Sequence, residues 1–430
     1  MIPLVLNTNR PKIKIKGVDV SDIIKEISLT ESIFEPVLRG SFVVFDTASS
    51  RLYQLTGGAF GLSDIEFSFH SMFGTSTEKE IKSKDFYVYK YIPGPTEGAS
   101  NSLSTGYFGS KNIFVNEARM VSKYFNDTIS NIVTKLCQDI KITCKATESV
   151  GKIKRVLPYD SVFSHIMNLS KQAKSANNPK DVDYIFFQDI DHDYYFKPLS
   201  SFKKKEVKWK YKVIPPTPDL TLEAAKYSVL RHSCEEFAPI ENALSGMYSS
   251  EIISFDSTTG DYFSKTHVFS DGNYTKISNK PIVDMKNEPL FNDIAKSGVA
   301  ARRYNKQRFL YDCSEPPEGQ DGVGLEDDWA GHRLASMESS NQIKLNLVVP
   351  GNSEMKVGDL IEFRRPLNES IVNVDGVNMK TGDIFYSGKF LVTEITHDIV
   401  MKQGTTPDAT TAVYTMRVRA IKDSIGDEHA

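Results

Sequence analysis

Several of the features on which enzymes, secreted scaffolds and membrane proteins are built are scarce in this chain. Four cysteines occur in 430 residues, Cys137, Cys144, Cys234 and Cys313, and none forms a CxxC. They are too few and too scattered for a disulfide scaffold, so free thiols are expected, most of them buried as small apolar groups. Nowhere do about 18 apolar residues follow one another, which argues against a spanning helix. The start, MIPLVLNTNRPKIKIKG, lacks the basic opening and apolar run of a signal peptide, so a protein folded in a cytosol is expected. A net charge of −3 gives no global attraction to nucleic acid or to an anionic membrane. Tryptophan is rare (2) beside tyrosine (19) and phenylalanine (25), a balance that favours aromatic strands.

Signatures of catalysis are missing as well. The sequence holds no GxSxG, no GxxxxGK[ST] and no GxGxxG, which removes the nucleophile elbow, the P-loop and the dinucleotide fingerprint. Asp189, Asp191 and Asp193 have the spacing of a calcium loop. Tyr194 stands where that loop needs glycine and Ser200 where it needs a bidentate glutamate, so an acidic hairpin tip is the better reading. His232-Ser233-Cys234 has no second HxH or CxxC, and residues two apart on a strand share a face whether or not they react. His70 and His397 read as strand or core imidazoles, and the pairs Asp327-Asp328 and Glu235-Glu236 as partners of helix dipoles. No catalytic, cofactor-binding or metal-ligating residue is assigned.

What is present is pattern. KIKIKG (12–17), GSFVVFD (40–46) and DIEFSFH (64–70) alternate as strands do, with turns at Gly57-Gly58 and Pro93-Gly94-Pro95. From 126 the period becomes helical. Ile129, Ile132, Val133, Leu136 and Cys137 make one stripe with Asn126 or Asp127 as cap; Val162, Phe163, Ile166 and Leu169 make another with Asp160 or Ser161. An aromatic hairpin is expected at 183–199, further strands at 247–256 and 261–271, and helices at 292–309 and 326–337. Near the end IKLNLVVPGNSEMKVGDLIEFRRP (343–366) reads as strand, turn, strand. Ile343, Leu345, Leu347 and Val349 share one face, Gly358-Asp359 turns, Ile361 and Phe363 resume that face, and Glu362 and Arg364 point away. Two more strands follow at 387–399 and 411–420, and the ends 1–9 and 422–430 are expected to be loose.

The fold class expected is therefore mainly β with α+β parts: two small antiparallel β-barrel domains joined by an α/β module. The divisions are 1–118, first barrel; 119–230, α/β module; 231–270, first part of the second barrel; 271–324, an insertion of loop and helix; and 325–425, the rest of the second barrel. Six lysines between Lys203 and Lys212, interleaved with Trp209 and Tyr211, could meet a phosphate backbone. An exposed edge strand guarded by lysines suits a slightly acidic chain better.

Three segments together resemble a known family. GVDVSDIIKEISLTESIFEPVLRGSFVVFD (17–46) resembles the first barrel of the baseplate hub proteins of contractile-tailed bacteriophages, a superfamily that includes late-control hub proteins and the base of type VI secretion spikes. YDSVFSHIMNLSKQA (159–173) followed by YIFFQDIDHDYYFKPL (184–199) is similar to its helix and aromatic hairpin. VGDLIEF (357–363), GKFLVTEITHDI (388–399) and YTMRVRAIKD (414–423) are similar to the closing strands of its second barrel. The resemblance implies a non-enzymatic homotrimer without cofactor, whose six barrels form a pseudo-hexameric ring adapting the six-fold tail tube to a three-fold central spike. It also implies other baseplate proteins as partners, DNA as passing cargo, no membrane insertion, and residence in the virion tail baseplate after assembly in the host cytoplasm. The alternatives are a tail-tip receptor- or carbohydrate-binding protein, with Tyr107-Phe108 and Tyr194-Tyr195-Phe196 as platform, and a hub with cell-wall lytic activity.

Overall fold

The computed structural model describes residues 7–8, 11–47, 62–69, 80–94, 101–213, 222–235, 241–242, 245–256, 262–269, 274–277, 300–306, 326–365, 373–374, 377–378, 386–402 and 411–424. The first stretch supplies β1 (Asn7–Thr8), β2 (Lys12–Ile15), β3 (Val18–Asp19), β4 (Ile24–Ser32), β5 (Arg39–Thr47), β6 (Ser63–Phe69), β7 (Ile81–Ile92) and β8 (Asn101–Ser110). The middle adds α1 (Asn112–Ala118), β9 (Met120–Thr128), α2 (Ile129–Asp139), β10 (Cys144–Ala146), β11 (Ser149–Val150), β12 (Lys152–Ser161), α3 (Val162–Ser170), β13 (Lys174–Ser175), β14 (Tyr184–Gln188), β15 (Tyr194–Pro198) and α4 (Ser200–Lys203). Then come β16 (Val207–Lys212), α5 (Leu222–Lys226), β17 (Arg231–Glu235), β18 (Ser249–Asp256), β19 (Tyr262–Val268), β20 (Ala300–Lys306) and α6 (Glu326–Ser340). The last elements are β21 (Ile343–Pro350), β22 (Leu360–Arg364), β23 (Asn373–Val374), β24 (Val377–Asn378), β25 (Gly388–Lys402) and β26 (Thr411–Lys422). The protein is thus mainly antiparallel β, as the alternating segments imply. Among the described residues no helix is long and apolar enough to cross a membrane.

One large sheet takes strands from both ends of the chain, in the order β17-β21-β26-β25-β4-β5-β8-β7-β6-β2-β3, with β1 on β26, β22 on β25 and β16 on β22. The join is the antiparallel pair β4–β25, where Leu29 faces His397 and Ser28 faces Asp398. β25 serves two partners along one edge. Its first residues pair with β22; the ladder then shifts at Thr393, and residues 394–400 pair with β4. A bulge bends a strand and re-aims its edge, which is what this change of partner requires. On the far side, the Lys212 amide at the end of β16 donates to the Tyr227 carbonyl and the Val229 amide to the Lys212 carbonyl, an isolated parallel bridge just before β17 begins.

The middle segment has a core of its own beneath α2 and α3. Thr128, not Asn126 or Asp127, caps α2: its hydroxyl accepts from the Asn131 amide, while Asp127 receives the Thr128 amide. Ser161 caps α3. The expected aromatic hairpin forms from β14 and β15 and divides the two cores. Ile185 and Phe187 face the large sheet, and Tyr184 and Phe186 face the helices, so all five residues of β14 are buried. A strand covered on both faces reads as a continuous apolar run.

Several expectations change. Ala300–Lys306 is a strand, β20, paired parallel to β18, where the apolar spacing suggests a helix; backbone pairing with a neighbour outweighs weak local propensity. β18 pairs with β19 on one side and with β20 on the other, away from the large sheet, so of the described strands between 231 and 270 only β17 joins it. Of the ends expected to be loose, 7–8 and 422–424 are among the described residues, and these are held in place. β1 pairs with β26, and Lys422, Asp423 and Ser424 are buried.

Candidate functional site

The segment 343–365 lies where the large sheet, the α/β segment and the lysine-rich strand meet. Ile343, Leu345, Leu347, Val349, Ile361 and Phe363 are all buried in the core of the large sheet. β21 stays paired to β26 through Pro350 opposite Thr415, and the Gly351 amide donates to the Tyr414 carbonyl (3.0 Å) before the chain turns away. The next turn spans Lys356 to Asp359: the Asp359 amide donates to the Lys356 carbonyl (3.2 Å) and Gly358 takes φ +80°. A positive φ at the third position is what a type II turn demands, and glycine meets it without steric cost.

Three groups of contacts fasten this turn. Gly358 and Val392 exchange backbone support, with Gly358 N–H donating to Val392 O (2.8 Å) and Val392 N–H to Asp359 O (3.0 Å). The lysine run holds it from one side: Lys205 donates to Gly358 O (2.8 Å), Lys208 pairs with Asp359 (3.2 Å) and Trp209 Nε1 donates to the same carboxylate (3.4 Å). The hairpin tip holds it from the other. Lys356 pairs with Asp189 (3.1 Å) and with Asp191, and Asp189 also accepts the Asp191 and Asp193 amides. Burial works against the Lys356 ammonium, but Asp191 and Asp189 raise its pKa well above the usual lysine range.

These contacts revise two readings. The acidic turn is no mere solvated tip, because Asp189 is buried under Lys356. The lysine run starts at the end of α4 and continues along β16, which pairs parallel with β22, and half of it grips acidic partners: Lys203 reaches Asp423, Lys208 Asp359 and Lys210 Glu362. Glu362 is on the face opposite Ile361 and Phe363, as expected, but is buried there, held between Lys210 (3.3 Å) and Arg364 (2.6 Å).

A second polar group sits in the join itself. Glu31 on β4 is fully buried; it accepts from the Ile190 amide (3.0 Å) and lies 3.9 Å from His397 Nε2. His397 Nδ1 in turn meets the Tyr414 hydroxyl at 2.6 Å. Burial pushes the Glu31 carboxyl above the usual carboxylate range, against the opposing pull of His397. Since both side chains are closed to solvent, the pair joins β4, β25, β26 and the hairpin rather than facing a substrate.

The remaining candidates are structural in their surroundings. His232 packs on Phe363, ring centroids 5.6 Å apart, and Cys234 sits opposite Leu345 in the ladder. Cys137, Cys144 and Cys234 are free thiols. The neighbouring Cys144 and burial push the Cys137 thiol up. His70 and Cys313 lie outside the described residues. Tyr107-Phe108 and Tyr194-Tyr195-Phe196 lie in β8 and β15 rather than in loops, and Phe108, Tyr194 and Phe196 are buried, which closes those three rings to a glycan. Among the described residues no three or more His, Cys, Asp or Glu side chains gather where they could hold a metal ion.

Gly358→Ala tests the turn. A Cβ there would stand 2.3 Å from a ring carbon of the buried Phe202, on top of the cost of a positive φ. We expect a loss of about 2–4 kcal/mol in urea unfolding, from left-handed backbone strain and overpacking. A variant within about 0.5 kcal/mol of wild type, the range of an ordinary surface change, would show that the turn relaxes freely.

No protein-family model matches the sequence, and no curated protein matches it. Solved structures do. The chain shares its fold with the tail protein from Neisseria meningitidis MC58, at 8% identity over 97% of each chain with a TM-score of 0.50. It is also similar to the 43 kDa tail protein of prophage MuSo2 from Shewanella oneidensis (10% identity, 96% and 98% covered, TM-score 0.49). A third likeness is to the E. coli c3393 protein, a component of the type VI secretion system (10% identity, 97% and 79% covered, TM-score 0.42).

Proposed function

We propose that this chain is a structural hub component of a contractile phage tail baseplate, acting as a homotrimer. Its two β-rich parts, 1–118 and 231–270 with 325–425, present six similar units as a pseudo-hexameric ring around a channel for DNA, with 119–230 as the α/β module and 271–324 as an insertion. The ring adapts the six-fold tail tube to the three-fold central spike, and other baseplate proteins pack around it. The chain works by shape, without catalysis, in the virion tail after assembly in the host cytoplasm.

The observation that carries this reading is the β4–β25 join, which brings strands of the first part and β17, β21, β22, β25 and β26 of the second into one sheet, in a fold matched over nearly the whole length of a tail protein. Such a sheet is stiff across the seam and still offers strand edges to neighbours. The net charge of −3 suits a channel that must pass DNA without retaining it.

The test is the solution mass of the full chain, alone and with its spike and tube proteins. A trimer, intrinsic or formed on the spike, is expected. A chain that stays monomeric with its spike overturns the proposal, and a lytic band on host cell wall in zymography would favour the enzymatic alternative.

A further inference from the structure

Away from the seam, one cluster brings together side chains of metal-ligating type from three separate segments. His267 lies on β19, Tyr274 a few residues beyond it, and His332 on α6. His267 Nε2 and His332 Nδ1 are 3.1 Å apart, and the Tyr274 hydroxyl is 2.9 Å from each. We propose that these three atoms form a binding site for one divalent transition-metal ion of the zinc, cobalt, nickel or copper class, which ties the β18–β20 sheet to α6.

The triangle has the right size. Donors about 2.0–2.1 Å from a common ion are separated by roughly 2.9–3.4 Å between octahedral and tetrahedral geometry, and all three edges fall in that interval. Hydrogen bonding alone fills the triangle incompletely. With both imidazoles neutral, two protons at most lie along its three edges, whereas an ion above its plane engages all three lone pairs. Two imidazole nitrogens and a phenol oxygen suit borderline metals and not calcium or magnesium, which favour oxygen throughout. As the ion binds, the phenol proton passes to solvent and the oxygen becomes a phenolate ligand; water takes the open position.

The surrounding structure holds the donors in place. A Cβ at Gly331 would stand 2.7 Å from the Cβ and Cγ of His267, so glycine there lets α6 approach β19 closely enough for His332 to meet His267. Thr275 is tied to Asp181 through its amide (3.2 Å) and its hydroxyl (2.7 Å), which fixes the segment carrying Tyr274. Arg333 anchors α6 next to His332 by donating to the carbonyls of Val182 (3.3 Å) and Tyr184 (2.9 Å). Lys174, Lys180 and Lys265 face His332 and oppose a cation, so binding should strengthen as salt screens them.

The experiment uses the full chain without an affinity tag, stripped with a chelator and titrated with Zn2+, Co2+ or Cu2+ by calorimetry. One ion per chain is expected, with at least about a tenfold loss of affinity in His267→Asn and in His332→Asn. Tyr274→Phe should weaken binding and remove the phenolate-to-copper charge-transfer band. Zn2+ should raise the unfolding temperature of wild type and leave the double variant His267→Asn/His332→Asn unmoved. Stoichiometric binding that survives in the double variant, or a copper spectrum unchanged by Tyr274→Phe, overturns the site, as does no binding at all. If a histidine variant fails to fold, Tyr274→Phe, which keeps the ring packed on Phe269 (5.3 Å), decides the matter.

Discussion

Phe363→Asp is expected to leave no soluble, cooperatively folded protein. Phe363 is fully buried, with Phe390 and His232 around its ring at centroid distances of 6.3 and 5.6 Å and Tyr211 beside it in the ladder. Removing such a ring costs about 3–5 kcal/mol. Placing a carboxylate at a fully buried position of this largely apolar wall costs several more. Together these match the whole stability of an ordinary domain, about 5–15 kcal/mol. Phe363→Leu keeps the apolar character and much of the volume; it should fold with a loss of roughly 1–1.5 kcal/mol. Soluble yield and urea unfolding read both outcomes. A folded, assembly-competent Phe363→Asp protein would contradict the inward placement of this strand.

Lys203→Met should be the most damaging change within the lysine run, and for a different reason. Lys203 and Asp423 are 2.9 Å apart with side chains only 3% and 2% exposed. Lys203 also donates to Ser340 Oγ (2.8 Å) and Thr275 O (3.0 Å), and Asp423 accepts from the Ile277 amide (3.1 Å). Methionine fills much the same space but strands the carboxylate, and a broken buried pair costs about 3–5 kcal/mol. Adding Asp423→Asn removes the stranded charge and keeps an acceptor for Ile277, so the double variant should recover a large part of the loss. The coupling between the two sites, measured by unfolding of both singles and the double, is the direct reading. Lys204→Met, at an exposed position of the same run, should change stability by less than about 0.5 kcal/mol. If Lys203 and Lys204 behave alike, the pair contributes nothing.

These two residues show where sequence reading succeeds and where it stops. Phe363 announces its burial through alternation with Ile361, because the two-residue period of a strand is local and survives in any correct fold. Lys203 announces nothing. It stands among five similar lysines, and what separates it from Lys204 is Asp423, some 220 residues away. Lys356 is a similar case: a lone lysine between Met355 and Val357 gives no sign that Asp189 and Asp191 will meet it. Glu31 and His397 belong to strands whose alternation is plain, yet their meeting depends on β4 pairing with β25. The helix expected at 292–309 fails over 300–306 for the same reason, since the neighbour that makes those residues a strand, β18, lies outside the local window.

By itself, then, the amino-acid order determined the mainly antiparallel β character, the two helices and the cap of the second, the aromatic hairpin and the inward faces of the strands at 343–363. All of these follow from the spacing of apolar residues, caps and turn glycines within a few positions of one another. Only the tertiary structure decided that the first and last parts of the chain form one sheet, that β14 separates two cores, and that the lysine run and the acidic turn clamp the loop between β21 and β22. Strand edges carry identical backbone donors and acceptors whatever their side chains, so local pattern says that an edge will pair without saying with which. That choice falls to the packing of the whole chain, where burying apolar area and pairing every buried charge must succeed together.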